Sequence, residues 1–208
     1  MRGGGTVIVR DIRPEDREQL VRGFDRLSPE SRYRRFMTSA VSLDDATLEY
    51  LTNVDGRDHA AIVAMVPSLD LKTETGVGVA RYVRLPDEPD VAEAAVTVTD
   101  DYQRRGVGTI LARALAEKAT YEGIRAFRAE VLADNTPMLE MLAEAGAIER
   151  SRLGDTVVFD VPIGAANGAE AGPVVRILRL AAESMAIVSR IYRRWRRREA
   201  SPLADAKG

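Results

Sequence analysis

The chain has 208 residues, 45% of them apolar and 30% charged, enough for one domain with a sizeable core plus an appendage. It contains no cysteine and one histidine, His59, which excludes disulfides and thiolate metal sites and argues against a histidine-built metal centre or a Ser-His-Asp triad. The net charge of −2 conceals +5 on residues 164–208 and −7 on the remainder, and an acidic body argues against nucleic acid as its partner.

In chain order, "TVIVRDI" (6–12) reads as a strand and runs into "RPEDREQLVRGFDRL", a helix with Pro14 in its first turn and acids after it. "SPESRYRRFM" predicts a second helix with Ser28 as N-cap, and "SLDDATLEYLTNV" a third capped by Ser42 or Asp44. Three strand-like runs follow at 59–66, 75–84 and 91–99, separated by turn residues and expected to form antiparallel hairpins. After Gly106 the apolar positions Ile110, Leu111, Ala114, Leu115 and Ala119 keep a helical period. "AFRAEVLA" (126–133) is a strand, and "TPMLEMLAEAGA" a helix that starts near Pro137 and stops at Gly146. "AIERSRL" and "DTVVFDV" close the series as a hairpin turning near Gly154 and Asp155. This order predicts a mixed, mostly antiparallel sheet of six or seven strands with helices on both faces, filling residues 1–162.

Residues 163–173 are rich in Gly and Ala and read as a linker. Beyond it, 174–199 reads as a basic amphipathic helix, with Val174, Leu178, Ala181, Met185, Val188, Tyr192 and Trp195 spaced by fours and threes. A flexible tail, 200–208, is expected to end the chain. The stripe needs a covering surface, and the arginines behind it add charge. The helix is therefore expected outside the catalytic unit, with self-association or peripheral membrane contact as its roles. The chain opens on no apolar signal segment and has no run long enough to span a bilayer, so a cytoplasmic location is predicted.

The chemistry concentrates in "VAEAAVTVTDDYQRRGVGT" (91–109). A strand passes through a glycine-bearing turn straight into a helix, whose first N–H groups have no partner within the helix. With the helix dipole, such donors suit a pyrophosphate; Gly106 and Gly108 allow close backbone approach, and Arg104 and Arg105 add positive charge. Neither GxxxxGK[ST] nor GxGxxG occurs.

The remaining pattern, Gln103-x-x-Gly106-x-Gly108, resembles the acyl-CoA-binding motif of the GNAT acetyltransferase superfamily. "DNTPMLEMLAEAGA" (134–147) resembles the family's next block, and "VIVRDIRPEDREQL" its opening strand and helix. Together with "LSPESRYRRFM", the pattern is similar to bacterial protein lysine acetyltransferases. The resemblance covers residues 6–162 and implies the GNAT fold, with acetyl-CoA as co-substrate and no metal. It further implies that the main chain of Val96 and Val98 pairs with the pantetheine arm. The N–H groups of the turn Gln103, Arg104, Arg105, Gly106, Val107, Gly108 and Thr109 would hold the pyrophosphate, and Asn135 would contact the CoA arm. Glu93 matches the glutamate that activates the amine in many members. A tyrosine that often reprotonates the leaving thiolate is replaced here by Leu142, which leaves the general acid unassigned.

A lysine amine has a reference pKa near ~10.4 and arrives protonated, so a carboxylate able to take its proton is required. Glu93 interrupts a run of alanines and valines, which sets a charge where strand packing alone would not place one. The expected reaction is direct acetyl transfer to a primary amine, a protein lysine first. Two alternatives stay open: a small-molecule amine as acceptor, or a non-catalytic acyl-CoA sensor or interaction module.

Overall fold

The computed structural model describes residues 1, 5–28, 43–164 and 172–183. One sheet runs, in spatial order, through β1 (Ile8–Asp11), β2 (His59–Pro67), β3 (Glu74–Leu85), β4 (Glu88–Val98), β5 (Ala126–Leu132), β7 (Thr156–Pro162) and β6 (Ile148–Leu153). Five described helices accompany it: α1 (Arg17–Asp25), α2 (Asp45–Thr52), α3 (Val107–Tyr121), α4 (Thr136–Glu144) and α5 (Pro173–Glu183). All neighbouring strands are antiparallel except β4 and β5, which are joined by the helical crossover through α3. This is the mixed α/β sheet expected from the sequence, and Asp44 is the residue that caps α2, accepting from the Thr47 N–H. The helix expected at 28–37 lies outside the described residues.

Strand alternation divides the core. One face carries Ala80, Tyr82, Ala94, Val96 and Val98, which pack with Phe127 and Val131 under Val107, Leu111 and Leu115 of α3 and Met138 and Leu142 of α4. The opposite face carries Ile12, Ala61, Val63 and Met65 beneath Leu20 of α1. Asp16 ties the first strand to the first helix: both terminal nitrogens of Arg10 donate to it at 2.7 Å, and the Arg13 N–H donates at 2.8 Å.

The C-terminal helix departs from expectation. α5 packs against α3 and β4 and touches α4, and it makes no comparable packing against β5. Val174, Val175, Ile177 and Leu178 are each 5% exposed or less, so the start of the predicted peripheral helix belongs to the main core. The described start of the stripe, Val174 and Leu178, is covered by the protein's own α3 and β4. Its predicted continuation to residue 199, the tail and most of the linker lie outside the described residues.

α3 comes close to the sheet because the residues beneath it are small. A Cβ on Gly78 would stand 2.9 Å from Leu111 Cδ1 and 2.9 Å from the Thr97 carbonyl oxygen. The backbone oxygen cannot yield without moving β4. Gly78→Ala is therefore expected to cost about 1–3 kcal/mol, the range for overpacking a tight interior, read as a lower urea midpoint. An unchanged midpoint would show that α3 has room to lift.

Candidate functional site

The parallel pairing of β4 with β5 is short. Val91, Ala92 and Glu93 stand opposite Ala126, Phe127 and Arg128, and there it ends. β4 continues to Val98 in register with β3, while β5 continues to Leu132 in register with β7. From Ala94 onward, the β5-facing edge of β4 has no partner strand among the described residues. The Thr99 N–H points to β3, donating to the Val77 carbonyl at 3.0 Å. Alternation then turns the amides of Val98, Val96 and Ala94 the other way, into the opening. The Val98 carbonyl receives the Gln103 side-chain amide at 3.3 Å, so Gln103 also anchors the turn to the end of the strand.

β4 leads through a short 3-10 turn, Asp100–Tyr102, to the start of α3. Gly106 is the N-cap, with φ +87, and no side chain caps this helix. Two other helices are capped by side chains: Asp44 serves α2, and Asn135 serves α4 by accepting from the Met138 N–H at 3.3 Å. The N–H groups of Val107, Gly108 and Thr109 therefore form a bare positive end, the geometry that receives an anion. Nothing stands within 4 Å of a Cβ built on Gly106, so a glycine is needed there for its left-handed backbone rather than for space. Arg104 shares that backbone region, with φ 59.

A broad groove of about 890 Å³ borders the start of α3. Arg104, Arg105 and Arg113 line it from the loop and helix, and Arg176 and Arg179 from α5, against the single acid Glu117. Tyr102 supports Arg105, whose guanidinium carbon lies 5.0 Å from the ring centre. Asn135, expected on the CoA arm, caps α4 through its side-chain oxygen. Leu142 is fully buried beneath α4, a core position that supplies no proton.

Glu93 occupies the last rung before the strands part, opposite Val83 on β3 and Arg128 on β5. Its alternation partners Ala95 and Thr97 share its face, on the α1 and α2 side of the sheet, away from α3. The sequence reading missed what stands beside it. Arg128 holds Glu88 through two contacts, at 2.5 and 2.8 Å, and Asp160 through two more, at 2.7 and 2.9 Å. Arg150 joins Asp160 at 2.5 Å. Burial alone would raise the Asp160 carboxyl, but the Arg128 and Arg150 guanidiniums outweigh it and hold Asp160 below the usual carboxylate range. The guanidinium beside Glu93 is thus shared with two other carboxylates. A charged residue inside each of "AFRAEVLA" and "DTVVFDV" was the available signal.

On the same face, a cavity of about 100 Å³ lies between α1 and the sheet, bounded by Leu20, Phe24, Val63, Arg81 and Thr97. Thr97 Oγ1 is the one buried side-chain polar atom without a hydrogen-bond partner among the described residues. Arg81 is 2% exposed; it donates to the Leu51 carbonyl at 2.8 Å and stands 2.5 Å from His59 Nε2, which must accept because a guanidinium only donates. His59, whose ring stacks 4.6 Å from Tyr50, is therefore a packed core histidine.

Among known proteins, the profile of the Acetyltransferase (GNAT) family matches residues 28–147. Acetyltransferase Pat of Mycolicibacterium smegmatis is 38% identical over 164 residues, 78% of this chain and 48% of that one. The present chain thus spans about half the length of that relative. An acetyltransferase of Pseudomonas aeruginosa is 33% identical over 145 residues, 70% of this chain and 76% of that one. The crystal structure of the GNAT domain of S. lividans PAT aligns with a TM-score of 0.64 at 32% identity, covering 77% of this chain and 93% of the domain.

The histidine environment makes a separate prediction. Burial first, and the charge of Arg81 second, push His59 down to about 3. The unfolded chain therefore takes up a proton near pH ~6.5 that the folded chain refuses. The stabilisation is complete above ~6.5 and falls as the pH drops toward the folded value. By pH 5, this group alone should lower the unfolding free energy by about 2 kcal/mol, and His59→Gln should flatten that slope in urea titrations. A wild-type stability that holds constant from pH 7 to 5 would show that His59 titrates in the fold.

Proposed function

This chain belongs to the GNAT acetyltransferase family, and from that premise we propose that it moves an acetyl group from acetyl-CoA to a primary amine, with a protein lysine as the acceptor. The likeness to the M. smegmatis Pat enzyme supports the lysine. One coincidence carries the reading: the uncapped start of α3 lies at the end of the strand edge that has no partner. A molecule with a pyrophosphate at one end and amides along its length satisfies both. The N–H groups from Arg104 to Thr109 would take the pyrophosphate, and the main chain of Val96 and Val98 the amides of the pantetheine arm. Arg104, Arg105 and Arg113, on the groove wall formed by the turn and α3, suit a polyanionic nucleotide.

Glu93 is the proposed base. It lies at the apex of the opening and on the opposite face from α3, so an amine entering from the α1 and α2 side would meet a thioester reaching through the split. The amine gives a proton to the Glu93 carboxylate, directly or through water, and its lone pair attacks the thioester carbon. A main-chain N–H of β4 would steady the developing oxyanion. The C–N bond forms, the C–S bond breaks, and the second proton shed by the attacking nitrogen passes through water to the departing CoA thiolate. No cysteine exists to carry the acetyl group as an intermediate, which favours direct attack.

Two measurements test these roles. Gly106→Val forces a branched residue into a left-handed backbone and should weaken CoA binding tenfold or more, about 1.4 kcal/mol; unchanged affinity in calorimetry would remove the phosphate role from this turn. Glu93→Gln should leave CoA affinity within about twofold and cut turnover roughly a hundredfold at pH 7, with a smaller loss at high pH, where more amine is already neutral. An unchanged rate would move the base elsewhere.

A further inference from the structure

The opening between β4 and β5 is flanked on one face by α3 and α4, and α5 lies between them. A helix resting on a flat surface buries one stripe about 100° wide. The buried positions 174, 175, 177 and 178 of α5 span an arc of about 160° at ~100° per residue, with exposures of 2, 5, 1 and 3%. A helix buried over so wide an arc is wedged among neighbours rather than laid upon them. Its neighbours are α3, β4 and α4, and its weak packing on β5 is what a helix would show where β5 has swung away.

The covering is also chemically mismatched. The edge of β4 from Ala94 to Val98 offers backbone donors and acceptors. α5 offers Val174, Val175, Ile177 and Leu178, and its own backbone groups are spent within the helix. It covers apolar surface on that side without pairing the strand. We propose that α5 is a built-in plug: the C-terminal helix fills the space along β4 that the pantetheine arm of CoA needs, and it must leave before the thioester can reach Glu93. This rests on the assignment of the β4 edge to the arm. Binding of CoA is then coupled to release of α5, and the intrinsic affinity is reduced by the fraction of chains in which the plug is out.

The arm and the nucleotide end are separable. α5 forms one wall of the arginine groove through Arg176 and Arg179 while its apolar side faces β4, so a headgroup without the arm can dock with the plug in place.

Hydrogen exchange on the full chain reads this directly. Adding CoA should increase protection of residues 104–109 while residues 174–183 exchange at least fivefold faster. Adding adenosine 3′,5′-bisphosphate should leave exchange of 174–183 unchanged or slower, since Arg176 and Arg179 line the groove it enters. With CoA, protection gained in the turn with α5 unchanged or slower would overturn the plug and leave the CoA site standing. Faster exchange of α5 with the headgroup alone would also overturn it, since the overlap would not be with the arm. No protection in 104–109 at saturating CoA would instead sink the CoA assignment itself. As a second arm, Ile177→Glu should bind CoA about fivefold more tightly with its far-ultraviolet dichroism retained. A folded variant with unchanged or weaker affinity would count against the plug.

Discussion

Three parallel rungs, from Val91 opposite Ala126 to Glu93 opposite Arg128, hold the two halves of this sheet together. Everything that gives the molecule a site follows from how few they are. Four antiparallel strands on one side and three on the other are each internally complete, so the halves can diverge without breaking their own ladders. A longer parallel pairing would leave no strand edge to offer a ligand, and a shorter one would not hold the wedge at a fixed angle. The join is reinforced where it is most needed: Arg128 reaches from β5 to Glu88 on β4 and Asp160 on β7, bridging both halves beside the last rung.

The same geometry sorts the chemistry by face. Alternation along β4 turns the side chains of Val96 and Val98 into the core under α3 and leaves their amides facing the opening. Glu93 and Thr97 turn to the other side. In the proposed reaction, nucleotide and amine therefore approach from opposite faces and meet through the gap at its vertex. The electrostatics are consistent with this division. Arginines gather around the start of α3, whereas Arg128, opposite Glu93 on β5, is engaged by Glu88 and Asp160.

α5 shows how an apolar opening shapes the rest of the chain. Ala94, Val96, Phe127 and Leu142 share one buried cluster with Val174, Val175, Ile177 and Leu178 of α5, so the start of this helix keeps water from the apolar surface beside β4. Helical propensity and an apolar stripe explain why 173–183 is a helix. They do not say what the helix covers.

The order of elements, the strand-to-helix turn and the glycine at its cap were legible from residues 91–109 because each is local: period, turn chemistry and left-handed backbone are properties of a few neighbours in the chain. Asp44 was legible as one of two candidate caps for the same reason, whereas Asn135 was expected on the CoA arm and only the structure shows it capping α4. The place of Glu93 at the vertex was not, since it depends on where β4 stops pairing with a strand more than thirty residues downstream. The engagement of Arg128 by Glu88 and Asp160, and the burial of His59 against Arg81, likewise join residues distant in sequence. The destination of the C-terminal stripe was decided in the same way. By itself, the sequence determined which segments are strands and helices and which turn could hold an anion. Only the packing of the two half-sheets decided which edge stays open, which face carries Glu93, and which helix packs beside β4, because those follow from contacts that no local pattern encodes.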